Sequence, residues 1–318
     1  MRISTVTIFD QNVSSMNRQQ AEFMKVGQQM STGRRVVNPS DDPQAAARAV
    51  GVGQSIAVTQ QYTDARVSAR NSLSQQESVL NSVGDMLTRA KTLMVQASNG
   101  TLSETDRISV SSEMEGVYEA LVGLANTTDG TGRYVFGGYR DGEAPFTRAA
   151  DGTVQFEGST EMRQERVDGD RLMEVGHTGN DIFLTALSNA RPAVDGTPAN
   201  TNLFASFENA IAALRADEGT LSDADRKDVF SNVMREFDNA QDNTLTKRAS
   251  LGARLNELDT LDLVAGNRTL GYEQQLSDLV DLDYVQAASD YSLRMVGLQA
   301  AQKAFVDIKG LSLFNYLR

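Results

Sequence analysis

Apolar residues recur every three or four positions at both ends of the chain. Near the amino terminus this stripe runs between polar residues with the heptad spacing of a helix that packs on another helix. Its large apolar members are Val6, Phe9, Val13, Met16, Phe23 and Met30. A second stripe of the same spacing lies near the carboxyl terminus, and its members are Tyr284, Ala288, Tyr291, Met295, Leu298, Gln302 and Phe305.

Neither terminal stripe can bury its apolar side chains alone. The sequence therefore predicts two terminal helices that pair with each other or with neighbouring molecules. A short apolar tail with Leu311 and Phe314 follows the second stripe. The large apolar members of both stripes, together with these two tail residues, form the predicted assembly interface.

Three further stripes lie between the terminal ones. They begin at Leu73, Val110 and Phe230, and the last of them extends to Leu258. Apolar periodicity of this kind usually means packing, so these stripes predict the core of a helical bundle. Thr244 and Lys247 interrupt the last stripe, which predicts a widened or exposed stretch of that helix.

The sequence predicts helix ends in several places. The segments GTLSETDR and GTLSDADR each offer a serine N-cap, Ser103 and Ser222, with an aspartate three residues later. Asp42 can cap a third helix that has Pro43 in its first turn. Gly33 is suited to end the first helix in a left-handed conformation.

The middle of the chain changes to short β-prone runs. Asp-Gly and Glu-Gly pairs separate these runs, and such pairs are typical of hairpin turns. The runs are residues 133–139, 154–156, 165–167 and 172–175. Residues 188–202 are rich in Pro, Gly and Asn and predict a loop. The predicted fold is mainly α, with long helices, coiled-coil termini and a small β-rich insert mid-chain.

Composition excludes several classes of function. The 318 residues contain no Cys and one His, so thiol chemistry, Cys-bound metals and sites with two imidazoles are excluded. A net charge of −12 argues against binding to nucleic acid. No apolar run is long enough to span a membrane, and the first residues lack the pattern of a secretory signal.

Candidate chemistry is sparse, and we predict no catalytic residue, no cofactor and no metal site. His177 lies between glycines with no motif around it, and we expect its ring to form a hydrogen bond with the backbone. Asp278, Asp281 and Asp283 lack the spacing of a calcium loop and predict a solvated face or a helix start. An enzyme is the least favoured interpretation of this chain.

Several segments together resemble the flagellin superfamily and, within it, the hook-associated junction proteins. They are MRIST, QMSTGRRVVNPSDDPQAA, NGTLSETDR, LANTTDGTGRYVFGGY, GHTGNDIF and KGLSLFNYLR. The resemblance runs from the first residue to the last and omits only the middle insert and residues 188–218. The MRIST start, the NPSDDP form and the RYVFGGY segment favour the junction proteins over flagellin.

The resemblance implies a layered organisation. Residues 1–40 and 269–318 would form a terminal coiled-coil layer, and residues 41–140 and 220–268 an inner helical domain. Residues 141–219 would form the outer β-rich domain. The implied place is the hook–filament junction of a bacterial flagellum, reached by type III export with a cytoplasmic export chaperone.

The resemblance also implies partners, and other protein classes stay open as alternatives to the junction proteins. The expected partners are the hook-side junction protein, flagellin and further copies of this chain in a ring. Flagellin itself, which polymerises alone, is the nearest alternative. A free-standing coiled-coil scaffold or adhesin is another, although it would not need two terminal stripes around a β insert.

Overall fold

A computed structural model describes residues 5–99, 102–217 and 219–310. Its elements, in chain order, are α1 (Thr5–Thr32), α2 (Pro43–Ala97), α3 (Glu104–Ala125), β1 (Phe146–Arg148), β2 (Val154–Phe156), β3 (Gln164–Asp168), β4 (Arg171–Glu174), a π-helical turn (Asn180–Leu184), α4 (Leu203–Arg215), α5 (Asp223–Val280) and α6 (Tyr284–Gly310). The predicted mainly α class with a small strand-rich insertion is confirmed.

The chain folds as two compact units. The first contains Met1–Gln60 and Gly266–Arg318, and the second contains Gln61–Ala265. Helices α1 and α6 belong to the first unit, while α3, α4 and all four strands belong to the second. None of the described helices is both long enough and apolar enough to cross a membrane.

Short-range signals produce the predicted helix ends. Gly33 has a φ of +70°, which only glycine adopts without strain, and α1 ends directly before it. The Asp42 side chain accepts a hydrogen bond from the Ala45 backbone N–H at 3.0 Å. Helix α2 begins at Pro43, where the missing N–H has no intrahelical partner to lose.

The two serine N-caps are also confirmed. The Ser103 side chain accepts from the Asp106 backbone N–H, and Asp106 accepts from the Ser103 backbone N–H, which completes a capping box at α3. At α5, Ser222 Oγ accepts from the Asp225 backbone N–H at 3.2 Å. Both caps satisfy donors that the first turn of a helix leaves unpaired.

The core of the second unit follows the predicted inner stripes. Every member of the stripe on α2 is buried, including the polar Gln76. Gln76 Oε1 accepts from the His177 backbone N–H at 2.6 Å, and Gln76 Nε2 donates to the His177 carbonyl at 2.8 Å. This pair of bonds satisfies a buried amide and attaches α2 to the chain that follows the strands.

The polar interruption of α5 differs from the prediction. Thr244 is buried, and its hydroxyl donates to the Ala240 carbonyl at 2.8 Å. Its neighbour Asn243 is also buried and donates to the carbonyls of Asp181, Ile182 and Thr185. The predicted exposed stretch is therefore wrong at Thr244, because α5 there meets open carbonyls of the π-helical turn instead of apolar side chains.

The strands form two separate antiparallel hairpins. Strand β1 pairs with β2, with Phe146 opposite Phe156, and β3 pairs with β4. The turns between them contain Asp151-Gly152 and Asp168-Gly169, as the sequence predicts. Strand β1 lies outside the predicted runs.

Residues 133–139 form turns with one isolated bridge, from Tyr134 to Thr128, so the prediction of a strand there is wrong. Gly138 has a φ of +62°, and a Cβ built on it would lie 2.7 Å from the Glu161 carbonyl oxygen. The chain can turn this tightly only with glycine at that position. The turn directs Phe136 into the core, where its ring lies edge-on to Phe183 at 5.5 Å.

Helix α4 is a further difference, because it lies inside the range predicted to be the β-rich domain. The Asn202 side chain caps it by accepting from two backbone N–H groups. Its apolar face buries Phe204 and Phe207. Phe204 lies 5.5 Å from Phe183, and Phe207 lies 4.7 Å from Phe237, so aromatic rings join α4 to the π-helical turn and to α5.

His177 also departs from the prediction. It is buried, and neither ring nitrogen has a hydrogen-bond partner within the described ranges of the chain. Its backbone, not its ring, forms the two bonds to Gln76. Burial, with Arg254 and Lys247 nearby, lowers the pKa of the imidazole to about 4, so the ring is neutral at pH 7.

Candidate assembly interface

The two terminal stripes lie on helices that pack against each other in the first unit. Earlier residues of α1 contact later residues of α6, so the two helices are antiparallel. Phe23 and Tyr291 have ring centroids 4.8 Å apart, and the Tyr284 hydroxyl donates to the Met30 carbonyl at 3.4 Å. The helix at each end of the chain therefore packs on the helix at the other end.

The α6 side of this contact has a different heptad phase from the predicted stripe. Ala287 is buried at 5% exposure, whereas Ala288 is exposed. Arg294 forms an ion pair with Glu22 of α1, whereas Met295 is 41% exposed. Tyr291, Leu298 and Phe305 belong to both phases, which explains why the sequence alone does not separate them.

The thirteen predicted interface residues have different surroundings. Seven are half-buried: Val13, Met16, Phe23, Met30, Tyr291, Leu298 and Phe305. Tyr284 and Met295 are exposed, at 56% and 41%. Val6 and Phe9 lie on α1, but their side chains are outside the described part, as are Leu311 and Phe314 as whole residues.

A second apolar face of α6 lies opposite the face that packs on α1. Val285, Leu293 and Val296 are 84%, 66% and 59% exposed. With the exposed Ala300, they recur at intervals that place them along one side of the helix. A helix that is apolar on opposite sides is normally buried on both. This face was not predicted from the sequence.

A backbone clasp joins the turn after α1 to the junction of α5 and α6. The Arg35 N–H donates to the Val280 carbonyl at 2.7 Å, and the Leu282 N–H donates to the Gly33 carbonyl at 3.0 Å. Arg35 Nη2 also donates to the Leu279 carbonyl at 2.6 Å. The clasp was not predicted, since residues so far apart along the chain carry no pairing signal.

Two aspartates shape the loop that contains the clasp. The Lys25 ammonium, 2.8 Å from Asp41, and the Asn38 backbone N–H lower the pKa of the Asp41 carboxyl. The Ala45 backbone N–H and the Arg35 guanidinium lower the pKa of Asp42. Both carboxylates are therefore ionised at neutral pH and hold the chain between α1 and α2.

Removing the Arg35 side chain is expected to destabilise the first unit. Arg35→Ala deletes the charged donor to Leu279 and the 3.1 Å contact with Asp42, at a cost of about 1–2 kcal/mol. The measurement is hydrogen exchange of the backbone amides of residue 35 and Leu282 in the assembled chain, where the terminal helices are paired. Arg34→Ala is the matched control, since the exposed Arg34 side chain has no hydrogen bond or ion pair within residues 5–99, 102–217 and 219–310. Equal losses in both variants would contradict the role of Arg35.

Known proteins with similar sequences are flagellar. Residues 3–141 match the family model for the bacterial flagellin N-terminal helical region. The chain is 45% identical to flagellar hook-associated protein 3 of Escherichia coli, with 99% of each chain covered. It is 43% identical to the protein of the same name from Salmonella typhimurium, with 100% of each covered.

Solved structures agree with the sequences on the fold. A putative flagellar hook-associated protein from Vibrio parahaemolyticus has a TM-score of 0.66 at 22% identity, covering 76% of this chain and all of that one. The flagellar junction protein FlgL from Legionella pneumophila has a TM-score of 0.60 at 18% identity, covering 74% of this chain and all of that one. Together with the match to the flagellin family model, these likenesses show a fold of the flagellin-like class.

The relatives then define the family within that class. The chain belongs to the family of flagellar hook-associated protein 3. Its relatives are structural components of flagella, so the chain is a structural protein and not an enzyme.

Proposed function

We propose that this chain is the adaptor that joins the hook of a bacterial flagellum, through the hook-side junction protein, to the flagellin filament. The family supports this assignment, and so does the naming of the Legionella relative as a junction protein. The observation that carries the proposal is the second apolar face of α6, because an exposed row of valine and leucine on a paired helix requires further protein to cover it.

The ring is the simplest arrangement that covers this face. Copies of the chain placed side by side would cover Val285, Leu293 and Val296 of one copy with the terminal helices of the next. The two faces of such a ring would differ, because the antiparallel helices present different residues at their two ends. One face would then meet the hook-side junction protein and the other flagellin.

Electron microscopy of the purified chain under salting-out conditions tests the adaptor function. The chain alone is expected to form no long filaments. With hook fragments and the hook-side junction protein, it is expected to cap the hook ends, which then accept flagellin. Long filaments of the chain alone would instead identify a flagellin.

Assembly and ordering of the terminal helices are part of the same proposal. The α1–α6 pair is built from half-buried side chains, and its stability alone has to offset the ordering of two long helices. In the free chain these helices would be largely unfolded, and they would order when neighbours cover them. Export through the flagellar type III channel, with a cytoplasmic chaperone on the terminal stripes, requires such unfolded ends.

Hydrogen exchange tests this coupling directly. The backbone amides of residues 6–30 are expected to exchange rapidly in the free chain and at least a hundredfold more slowly in the hook-bound chain. The amides of α2 near Leu80 serve as the internal control, because they lie in the buried core and should be protected in both states. Strong protection of residues 6–30 in the free chain would contradict coupled folding.

A further inference from the structure

Two arginines occupy the same place in the repeated capping segments but have different surroundings. Each follows the aspartate that lies three residues after a serine N-cap, Arg107 on α3 and Arg226 on α5. Arg226 is 4% exposed and donates to the carbonyls of Ala216 and Leu221 at 2.9 and 3.3 Å. It donates further to the Ala213 carbonyl and to Asp223. The guanidinium of Arg226 is thus satisfied by the protein.

Arg107 lacks such acceptors among the described residues. It is 7% exposed, and within the described part of the chain neither its Nε nor its Nη2 has a hydrogen-bond partner. A guanidinium cannot discharge at physiological pH, so its burial without an acceptor is strongly unfavourable. Nε and Nη2 are the two donors on one edge of the guanidinium, and their N–H bonds are parallel. This edge matches two oxygens of a carboxylate or phosphate.

The side chain lines a cavity with a positive balance of charge. The cavity has a volume of about 290 Å³, and its charged lining residues are Arg107, Arg226, Lys227 and Asp223. Asp223 is paired with Arg226, and its carboxylate is 88% exposed. The first turn of the 58-residue helix α5 forms part of the wall, and so does the end of α2 at Ala97, whose negative helix end opposes the positive end of α5. The positive balance of the cavity therefore comes from its arginine and lysine side chains.

We propose that this cavity is a binding site for an oxyanion of the carboxylate or phosphate class. The anion accepts from Nε and Nη2 of Arg107 on one side and faces the first turn of α5 and Lys227 on the other. A water molecule occupies about 30 Å³ in the liquid, so the cavity holds a small oxyanion together with several waters. The oxyanion comes either from solution or from a carboxylate side chain of another protein molecule.

The ¹⁵N–¹H signals of the arginine Nε–H groups test the site. Sodium phosphate and sodium acetate are titrated into the full chain at constant ionic strength, with chloride as the balancing ion. The Arg107 signal is expected to shift saturably with at least one of these anions. A response to phosphate indicates a dissolved oxyanion, and a response to acetate alone indicates a carboxylate ligand.

Variants separate the site from general salt effects. Arg107→Gln is expected to weaken binding at least tenfold, measured as the anion dependence of the thermal unfolding midpoint. Arg107→Lys keeps the charge but loses the two-donor edge, so we expect an intermediate loss. Arg89→Gln is the control, because Arg89 lies outside the cavity and pairs with Glu113.

The thermal stability of Arg107→Gln without oxyanion shows whether the variant folds, so that weaker binding is not mistaken for a folding failure. In chloride alone Arg107→Gln is expected to unfold at the same or a higher temperature than the parent chain, since it removes an unpaired buried charge. No saturable shift of the Arg107 signal with either anion would overturn the proposal. An equal anion response in the parent chain and Arg107→Gln would overturn it as well.

Discussion

Val296→Lys is expected to reduce incorporation into hook ends at least tenfold while leaving the fold of the free chain nearly unchanged. Val296 is 59% exposed on the second apolar face of α6, so the substitution removes no packing in the monomer. Lysine is also a better helix former than valine. In the ring the same position would be covered, and an unpaired charge buried there costs several kcal/mol, whereas 1.4 kcal/mol already corresponds to tenfold.

The assay counts hook ends that elongate when flagellin is added after the variant chain. Val95→Lys is the matched control, because Val95 is 61% exposed on α2 and lies outside the proposed interface. Tyr291→Ala supplies the contrast, since it removes the ring that packs on Phe23 and should weaken both the α1–α6 pair and assembly. Normal incorporation of Val296→Lys would show that this face of α6 is not covered in the assembly.

Helical elements could be predicted closely because their signals are local. The Ser103 and Ser222 caps, the Gly33 stop and the Asp42–Pro43 start each depend on residues within one turn of the helix end. The inner stripes were equally clear, since a helix that packs on one side shows that side as a repeat in the sequence.

The strand region was predicted only in part, because tertiary contacts there overrule local preference. Residues 133–139 are rich in β-forming side chains, yet the close approach of Gly138 to the Glu161 carbonyl and the burial of Phe136 impose a turn. Helix α4 was missed because it is short and follows a loop. Its Asn202 cap and the i, i+3 spacing of Phe204 and Phe207 were the available signals.

The candidate interface was harder to predict for a different reason. A heptad pattern identifies a packed face only when the neighbouring positions are polar. On α6, Ala287 and Ala288 are equally compatible with the seam, and the structure buries Ala287. Because both sides of α6 are apolar, the sequence does not show which heptad positions pack on α1. The same property suggests a second partner for the helix.

Acidification from pH 7 to pH 4.5 is expected to lower the free energy of unfolding of the second unit by about 2.5 kcal/mol through His177 alone. The imidazole has an ordinary pKa of 6.5 in the unfolded chain and about 4 in the folded one. Between these values the unfolded state binds the proton and the folded state does not. Stability is therefore complete above pH 6.5 and is lost as the pH falls toward 4.

The measurement is urea unfolding by circular dichroism at several pH values in this range. Carboxyls with lowered pKa, such as Asp129 at about 2, lose their contribution only at lower pH. Glu236 acts in the opposite direction, because burial raises its pKa and the folded state then binds a proton near the acid end of the range. Glu236→Gln removes this stabilisation at acid pH, so the free energy of unfolding should fall more steeply as the pH is lowered.

His177→Gln supplies the decisive comparison. Glutamine does not titrate, so the difference in unfolding free energy between the parent chain and His177→Gln should change by about 2.5 kcal/mol between pH 7 and pH 4.5. The direction of the change is fixed by the lowered pKa of His177: acidification lowers the stability of the parent chain relative to that of His177→Gln. A difference that stays constant with pH would mean that His177 accepts its proton as readily in the folded chain as in the unfolded one, which its burial beside Arg254 and Lys247 opposes.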